Sequence, residues 1–600
     1  MKWFLGHLSD LRRVYEFEFR HVQVDYRKLY RDAEDVVAAL EVRLGNDNGA
    51  GAVATPQRSP TVTSPNRAAP APAPSLVTCV AELLATSVNA DCRTGRTAAA
   101  SADRSWEDSV PRVLRERARS LAAQSDSMRG RLACLDPAVG AYENSCVTND
   151  RDILNFLGCV LAVDFRHWGS GTYGDDVAKV EGCWCVTRAF PLLPCRCSAA
   201  GKRVYEKDVR QVYGHDHSRP GERTVVRGSM AMVCRMRDAV DLAAEDDPNR
   251  FWFRPAALVR RTIDDADGRF ELVEQLFSGF ADPEARVPLL FPAAMKRVEI
   301  LKEVAMFFKT TGKDFYDLVV EADRTLVVAS ETPTAAAAAT DAHATEFTAL
   351  SGLLPALCRH MPRFLDAAIF ARHSRHDPSH DGAPSSQPKF AALHALTSPP
   401  EGSATRFIVE TNPVLREYAH EPLDEVAVLF LKLAQLFATA TRSSRGLFTS
   451  GPLRWLRDDM PFHDEAEHMT IASDYQIPNA LRFAGLITYS EELSTDIDSR
   501  LLLPPLCQKE VEIRLVSIIA ATTLRAAVLD AVRARAAALR SLPSADAGMN
   551  SNPSETATQL EQAAATFTTS LLDFAVWLFG RTLTSTKLGR PHHLTPGIMY

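Results

Sequence analysis

Apolar residues recur at three- and four-residue steps along most of this chain, and four segments that cannot bury a core break the rhythm. "LRRVYEFEFRHVQVDYRKLYRDAEDVVAALEVRL" near the N-terminus has the helical period, and so does most of the chain beyond about Val110, beginning with "VPRVLRERARSLAAQSDSM". Between them, Asn46 to Ser75 is rich in Pro, Ala, Ser and Gly and reads as a linker. "SETPTAAAAATDAHATE", "RHSRHDPSHDGAPSSQPKF" and "SLPSADAGMNSNPSETATQ" each fall between strongly periodic stretches, so they read as surface insertions rather than domain boundaries. Strand-like alternation is confined to Val177 to Gly228, with "KVEGCWCVTRAF", "KRVYEKDVRQVYG" and "RTVVRG". The expected fold is mainly α: a large multi-helix domain with a small β insertion and an N-terminal helical extension. Its expected divisions are the extension at 1–46, a low-complexity linker with room for a short helix at 47–105, and the main domain at 106–600. Insertions are expected near 170–226, 330–345, 373–415 and 541–558.

Charge and motif content narrow the function classes. Proteins that grip a nucleic-acid polymer draw most of their affinity from phosphate neutralisation and carry a basic domain. A net charge of −7 and a pI near 6.2 disfavour such a partner, but not a single small nucleotide. No apolar run reaches the roughly 20 residues that span a bilayer, so no membrane partner is expected. "MKWFLGHLSDLRRVYEFEF" has too short an apolar core for a signal peptide. The 12 scattered cysteines then read as free thiols in a reducing compartment, the cytoplasm or nucleus. No P-loop, G-x-S-x-G, H-E-x-x-H or Rossmann glycine pattern occurs, which removes support for nucleotide-triphosphate hydrolases and dehydrogenases. No oligomeric state is implied.

The segment "IASDYQIPNALRFAGLI" sets an acidic–aromatic pair before a proline. Proline lacks an N–H and fits an α-helix only in its first turn, so the helix should begin near Ile477 or Pro478. Asp474 and Tyr475 then stand at its mouth, where free backbone N–H groups and the helix dipole favour an ionised carboxylate. Two readings follow: Ser473 or Asp474 caps the helix, or Asp474 is a carboxylate held to stabilise a positive centre. Lys432 in "VAVLFLKLAQLFATA", Arg514 in "KEVEIRLVSIIAATTL" and Asp573 in "TTSLLDFAVWLFG" are polar interruptions of three apolar helices, which invites pairing. "AVDFRHWGSG" places Asp164, Phe165, Arg166, His167 and Trp168 together, suited either to a flat ligand or to a local salt bridge beside a core tryptophan. Cys183 and Cys185, like Cys195 and Cys197, are separated by one residue, where zinc knuckles use two to four. Small buried residues in the β insertion are the favoured reading, and no metal is expected.

Several of these segments together resemble the queuosine salvage protein family, whose members are queuosine 5′-phosphate N-glycosylases that release queuine for reinsertion into tRNA. "SDYQIPNALRFAGLITYSEEL" followed by "LLPPLCQKEVEIRLVSI" resembles the family's Asp-Tyr-Arg-(Ile/Val)-Pro-Gln segment and its later Glu-(Val/Ile)-Arg helix. "FLKLAQLFA", "HMPRFLD", "VDFRHWG", "RGSMAMVCRMRDAV", "LLDFAVWLF" and the terminal "HHLTPGIMY" resemble other family segments, so the likeness covers roughly Val110 to Tyr600. Departures are Asp164, Arg166 and His167 in the aromatic segment, Gln476 and Pro596 at arginine positions, and a first hundred residues without counterpart.

The resemblance implies a fold similar to helix-hairpin-helix DNA glycosylases, whose chemistry centres on a lysine and a later aspartate. Lys432 and Asp474 match that order and are the expected catalytic residues. Asp573, Phe165, His167, Trp168, Tyr475, Arg514 and His593 are the expected substrate-binding residues. Asp573 would meet the base edge or the amine of the queuine side arm. The aromatics would stack on or border the base, and Arg514 would meet the 5′-phosphate or orient a carboxylate. The implied substrate is queuosine 5′-monophosphate, with neither metal nor organic cofactor. The competing readings are another glycosidic reaction, a degenerate family member that binds queuine nucleotides without cleaving them, and a helical interaction scaffold.

Overall fold

Helices dominate, as the three- and four-residue period implies. The computed structural model describes residues 21–47, 75–94, 104–123, 146–165, 167, 229–246, 253–265, 268–280, 288–291, 293–330, 353–364, 366–371, 425–448, 453, 469–504, 507–542, 553–586 and 588–595. The expected β insertion with its four cysteines, Trp168, Arg166, Pro596, and most of the insertions near 330–345, 373–415 and 541–558 lie outside the described residues.

In chain order, β1 (Val22–Val24), α1 (Tyr26–Asp47) and α2 (Leu76–Thr94) come first. There follow α3 (Arg104–Ser109), α4 (Arg112–Ala123), α5 (Cys146–Ala162), α6 (Ser229–Asp246), α7 (Pro255–Val259) and α8 (Gly268–Phe277). Next are β2 (Ser278–Phe280), β3 (Pro288–Leu290), α9 (Ala294–Thr311), α10 (Phe315–Ser330), α11 (Leu353–His360), β4 (Ala367–Ala371), β5 (Glu425–Leu429) and α12 (Lys432–Ser443). The chain closes with α13 (Gln476–Phe483), β6 (Ile487–Tyr489), α14 (Glu491–Asp498), α15 (Gln508–Arg540), α16 (Pro553–Thr566) and α17 (Thr569–Thr586). These elements divide into two units. Among the described residues, unit 1 holds those between 104 and 453, and unit 2 those between 21 and 94 and between 469 and 595.

Unit 1 is organised around Phe315. Its ring meets those of Phe308, Phe364 and Phe437 at centroid distances of 5.9, 5.7 and 5.2 Å, edge-on to the first two. The sequence "KDFYDL" starts α10 with a reciprocal cap: Asp314 N donates to Asp317 and Asp317 N donates to Asp314, at 3.0 and 3.1 Å. Arg151 of α5 reaches both carboxylates, at 2.7 and 2.8 Å, and ties the cap to the neighbouring helix. β4 and β5 pair antiparallel from Ala367↔Leu429 to Ala371↔Glu425. Beyond the ladder, the Asp366 carbonyl accepts from Phe430 N and Leu431 N at 2.8 and 3.2 Å, and this closure delivers Lys432 as the first residue of α12.

Unit 2 is built on α15, 33 residues long, which packs along α1 and α16 while α2 covers α1, α16 and α17. The N-terminal segment is therefore part of this core. β1 pairs antiparallel with β6, Val22 opposite Tyr489 and Val24 opposite Ile487. The buried Glu512 carboxylate accepts from His21 N and Val22 N at 2.7 and 3.2 Å and from Gln508 Nε2 at 2.9 Å. Against the expectation that no apolar run is that long, α15 is long and apolar enough by length and composition to cross a membrane, but 67% of its most apolar window is buried within the protein. α13 ends at Gly485, whose φ of 73° suits a residue without Cβ. Leu486 N reaches back to the Leu481 carbonyl at 3.0 Å and Gly485 N to that of Arg482 at 3.1 Å, a Schellman closure that turns the chain into β6.

Candidate functional site

In unit 2 the chain enters α13 through Ala472–Tyr475, and polar groups from three directions fix that entry. α13 starts at Gln476, so Pro478 is its third residue, still among those whose N–H has no helical acceptor. Asp474 Oδ1 accepts from Gln476 N at 2.7 Å and from Ile477 N at 3.1 Å. Although Tyr475 is the last non-helical residue by hydrogen-bond pattern, Asp474 performs the capping, a difference of one residue that is ordinary at helix ends. Ser473, the other expected cap, does not: its buried Oγ has no hydrogen-bond partner among the described residues.

The two residues before Asp474 are held from opposite sides. Asp573 Oδ1 on α17 accepts from Ala472 N at 2.8 Å. Arg514 on α15, 0% exposed, donates from Nε to the Ser473 carbonyl at 3.4 Å and lies 3.6 Å from Glu510. The two polar interruptions thus grip consecutive residues of one strand-like entry. At Gly580 of α17 a Cβ would lie 2.9 Å from the Gln476 carbonyl, so the close approach of α17 to the first turn of α13 requires glycine.

Tyr475 stacks on His592, with centroids 4.6 Å apart and planes tilted by 37°. His592 Nδ1 is 2.8 Å from the His593 carbonyl, a contact that makes Nδ1 the protonated nitrogen. Leu594 is bridged to Leu502, and its carbonyl accepts from Leu503 N at 2.8 Å. Burial pulls His592 from the usual 6.5 down to about 4, with Arg500 pushing the same way against the bond to His593. Burial, aided by His592 and Arg514, pulls His593 down to about 3. Both rings are neutral at pH 7.

In unit 1 a second polar cluster forms where α5 ends. Arg297 of α9, 0% exposed, donates to the carbonyls of Val163 and Phe165 and lies 4.4 Å over the Phe165 ring. Arg363 donates from Nε to the Ala162 carbonyl at 2.8 Å and stands 5.3 Å from the same ring. Phe165 is 0% exposed, so its ring lies against protein cations and is the hub of a clamp. Asp164 and His167 form a pair, Oδ1 to Nε2 at 2.6 Å. Burial would raise Asp164, but the hydrogen bond from His167 and the charges of His167, Lys432 and Arg297 outweigh it and bring it to about 2. Burial lowers His167, and Asp164 offsets only part of that shift. Lys432, 5% exposed, follows Leu431, whose φ of 49° is left-handed and costs of order 1–2 kcal/mol for a residue with a Cβ. Ala293, at the head of the helix that carries Arg297, is left-handed too, with φ 53°. Backbone strain therefore accompanies the delivery of both buried cations.

The expected site residues thus fall in two groups. Phe165, His167 and Lys432 lie in unit 1, and Asp474, Tyr475, Arg514, Asp573 and His593 lie in unit 2. Trp168 is outside the described residues. Arg297 and His592 were missed: the first sits unmarked in an ordinary helical repeat, and the second is half of a histidine doublet with no spacing signal. Among the described residues, no group of three or more His, Cys, Asp or Glu could hold a metal ion.

The entry that carries Asp474, the helix that carries Arg514 and the helix that carries Asp573 all belong to the stretch of chain that finds relatives. Residues 399–600 match the queuosine salvage protein family. That match supports a role in queuosine salvage. It covers the last third of the chain, so the Asp164–His167 pair and the first hundred residues lie outside it. No curated protein sequence matches the chain significantly.

Proposed function

We propose that the protein cleaves the N-glycosidic bond of queuosine 5′-monophosphate and releases queuine. Breaking the bond between C1′ and the base nitrogen builds positive charge on the sugar and negative charge on the leaving base. Queuine is a 7-deazaguanine and offers no N7 to protonate, so the demand falls on stabilising the sugar cation with a fixed anion. Asp474 meets that demand. Its Oδ1 is oriented by two backbone N–H groups, and the residues before it are held by Asp573 and Arg514. This preorganised carboxylate, inside the matched stretch, is the observation that carries the reading.

Asp474 stabilises the oxocarbenium-like sugar and accepts a hydrogen bond from the attacking water. Tyr475 borders the base. Arg514, neutralised by Glu510 and bound to the Ser473 carbonyl, orients the entry rather than meeting the phosphate. Asp573 is likewise engaged with Ala472 N and serves as an anchor. The assignment of Lys432 to the reaction rests on its order before Asp474, and Lys432→Ala in the same assay tests it.

The deciding experiment is incubation of the full chain with queuosine 5′-monophosphate, and separately with guanosine 5′-monophosphate, followed by mass spectrometry of the free base. Release of queuine but not guanine is expected. Tight nucleotide binding without release would leave the binder that does not cleave, a reading favoured by the structural duty Asp474 already performs as a cap.

A further inference from the structure

The stacked pair Tyr475–His592 joins the residue beside the proposed catalytic carboxylate to a segment more than a hundred residues further along the chain. We propose that His592 is a positioning residue for the glycosidic reaction: by stacking on Tyr475 it fixes the ring that borders the substrate's base. The inference rests on the reading that the protein cleaves a nucleotide at the mouth of α13.

Three observations carry it. Tyr475 is the last residue before α13, between the capping Asp474 and the first helical residue, and its side chain is half-buried there. Its backbone is ordinary helical, φ −71° and ψ −20°, and nothing in that geometry selects one ring orientation for a flat ligand. His592 contributes to the selection, because its ring lies 4.6 Å from that of Tyr475.

His592 itself sits in a segment held by several contacts. Its Nδ1 bonds the next carbonyl, His593 beyond it is 2% exposed, and Leu594 is anchored to Leu502 and Leu503. A tail pinned by main-chain bonds is a rigid back-stop for a side chain at a helix mouth. The ring's neutral state suits this duty, since an imidazolium would face the charge of Arg500. A residue that supports an active-site group in this way fixes that group's place, where a small misplacement costs rate. The ligand chemistry is that of a planar heterocycle, for which a fixed aromatic ring is the natural border.

The test is steady-state kinetics of queuine release by wild type, His592→Ala, His592→Phe, His592→Leu, Tyr475→Ala and the Tyr475→Ala/His592→Ala double variant, each checked for folding by circular dichroism. His592→Ala should lower kcat by about tenfold or more, because misplacement of the order of an ångström carries penalties up to about a hundredfold. His592→Phe, which keeps a flat ring, should stay within about threefold of wild type, and His592→Leu should not. The double variant should be no slower than Tyr475→Ala alone, because His592 acts through that ring. His592→Leu keeps the volume, so it carries the test if the alanine variant fails to fold. Wild-type kinetics in both His592→Ala and His592→Leu, or independent losses that multiply in the double variant, overturn the role of His592 and leave the reaction standing. A wild type that releases no queuine overturns both.

Discussion

Acidification from about pH 7.5 to about pH 5 should destabilise unit 2 by roughly 4 kcal/mol through two histidines alone. His592 and His593 have folded values near 4 and 3, below the ordinary 6.5. A group whose folded value is depressed binds its proton more readily when unfolded, so stability is fully present above about pH 6.5 and is lost as pH falls toward the folded values. At about pH 5 an unfolded histidine is almost wholly protonated and the folded ones are almost wholly neutral, a difference of about 2 kcal/mol for each ring. Against a typical total of about 5–15 kcal/mol, the sum is a large fraction. The assay is urea unfolding at both pH values, for wild type and His592→Phe. The variant cannot titrate at that site, so its loss should be smaller by about 2 kcal/mol, while the titrating groups that do not sense His592 cancel in the comparison. A wild type equally stable at both pH values, or a variant with the full loss, would refute the claim that these rings are held neutral.

Asp474→Ala should cost about 1 kcal/mol in urea unfolding through loss of the cap, while Asp474→Asn, an equally good cap, should cost almost nothing. Equal losses in the two variants would mean that charge, not capping geometry, stabilises the entry. Arg297→Met should cost about 1–3 kcal/mol, because the buried Val163 and Phe165 carbonyls lose their donor; an unchanged urea midpoint would contradict the clamp. Removal of residues 1–102 strips α1, α2 and β1 from unit 2 and uncovers α15. The remaining chain should bind a hydrophobic dye and lose cooperative melting, and a sharp native-like transition would show that the N-terminal segment is dispensable.

The parts of this molecule that follow local rules were legible in the sequence. The helical period gave the mainly α architecture, and Pro478 placed the start of α13 within two residues, because proline's constraint acts within a single turn. What depends on distant partners was not. Three residues, Val22–Val24, carry no strand pattern, yet pairing with Ile487–Tyr489 builds the N-terminal segment into unit 2. The buried charges Glu510, Glu512 and Arg514 interrupt the apolar run and hide how far α15 extends, since their partners are supplied by Gln508, by residues 21 and 22 and by one another. Phe165 looked like a stacking face for a ligand, but Arg297, far along the chain, lies over its ring. Asp573 and Arg514 stand out as polar residues in apolar helices, but their shared hold on the entry to Asp474 depends on packing that no local pattern carries.

The central claim is that Asp474 is a catalytic charge and not merely a helix cap. The most direct test is the rate of queuine release from queuosine 5′-monophosphate by Asp474→Asn, on protein whose urea midpoint equals that of wild type. Asparagine keeps the cap and removes the charge, so the account predicts an unchanged fold and a rate lower by about a hundredfold to a thousandfold. Release at the wild-type rate by a folded Asp474→Asn protein would contradict it and reduce Asp474 to a cap.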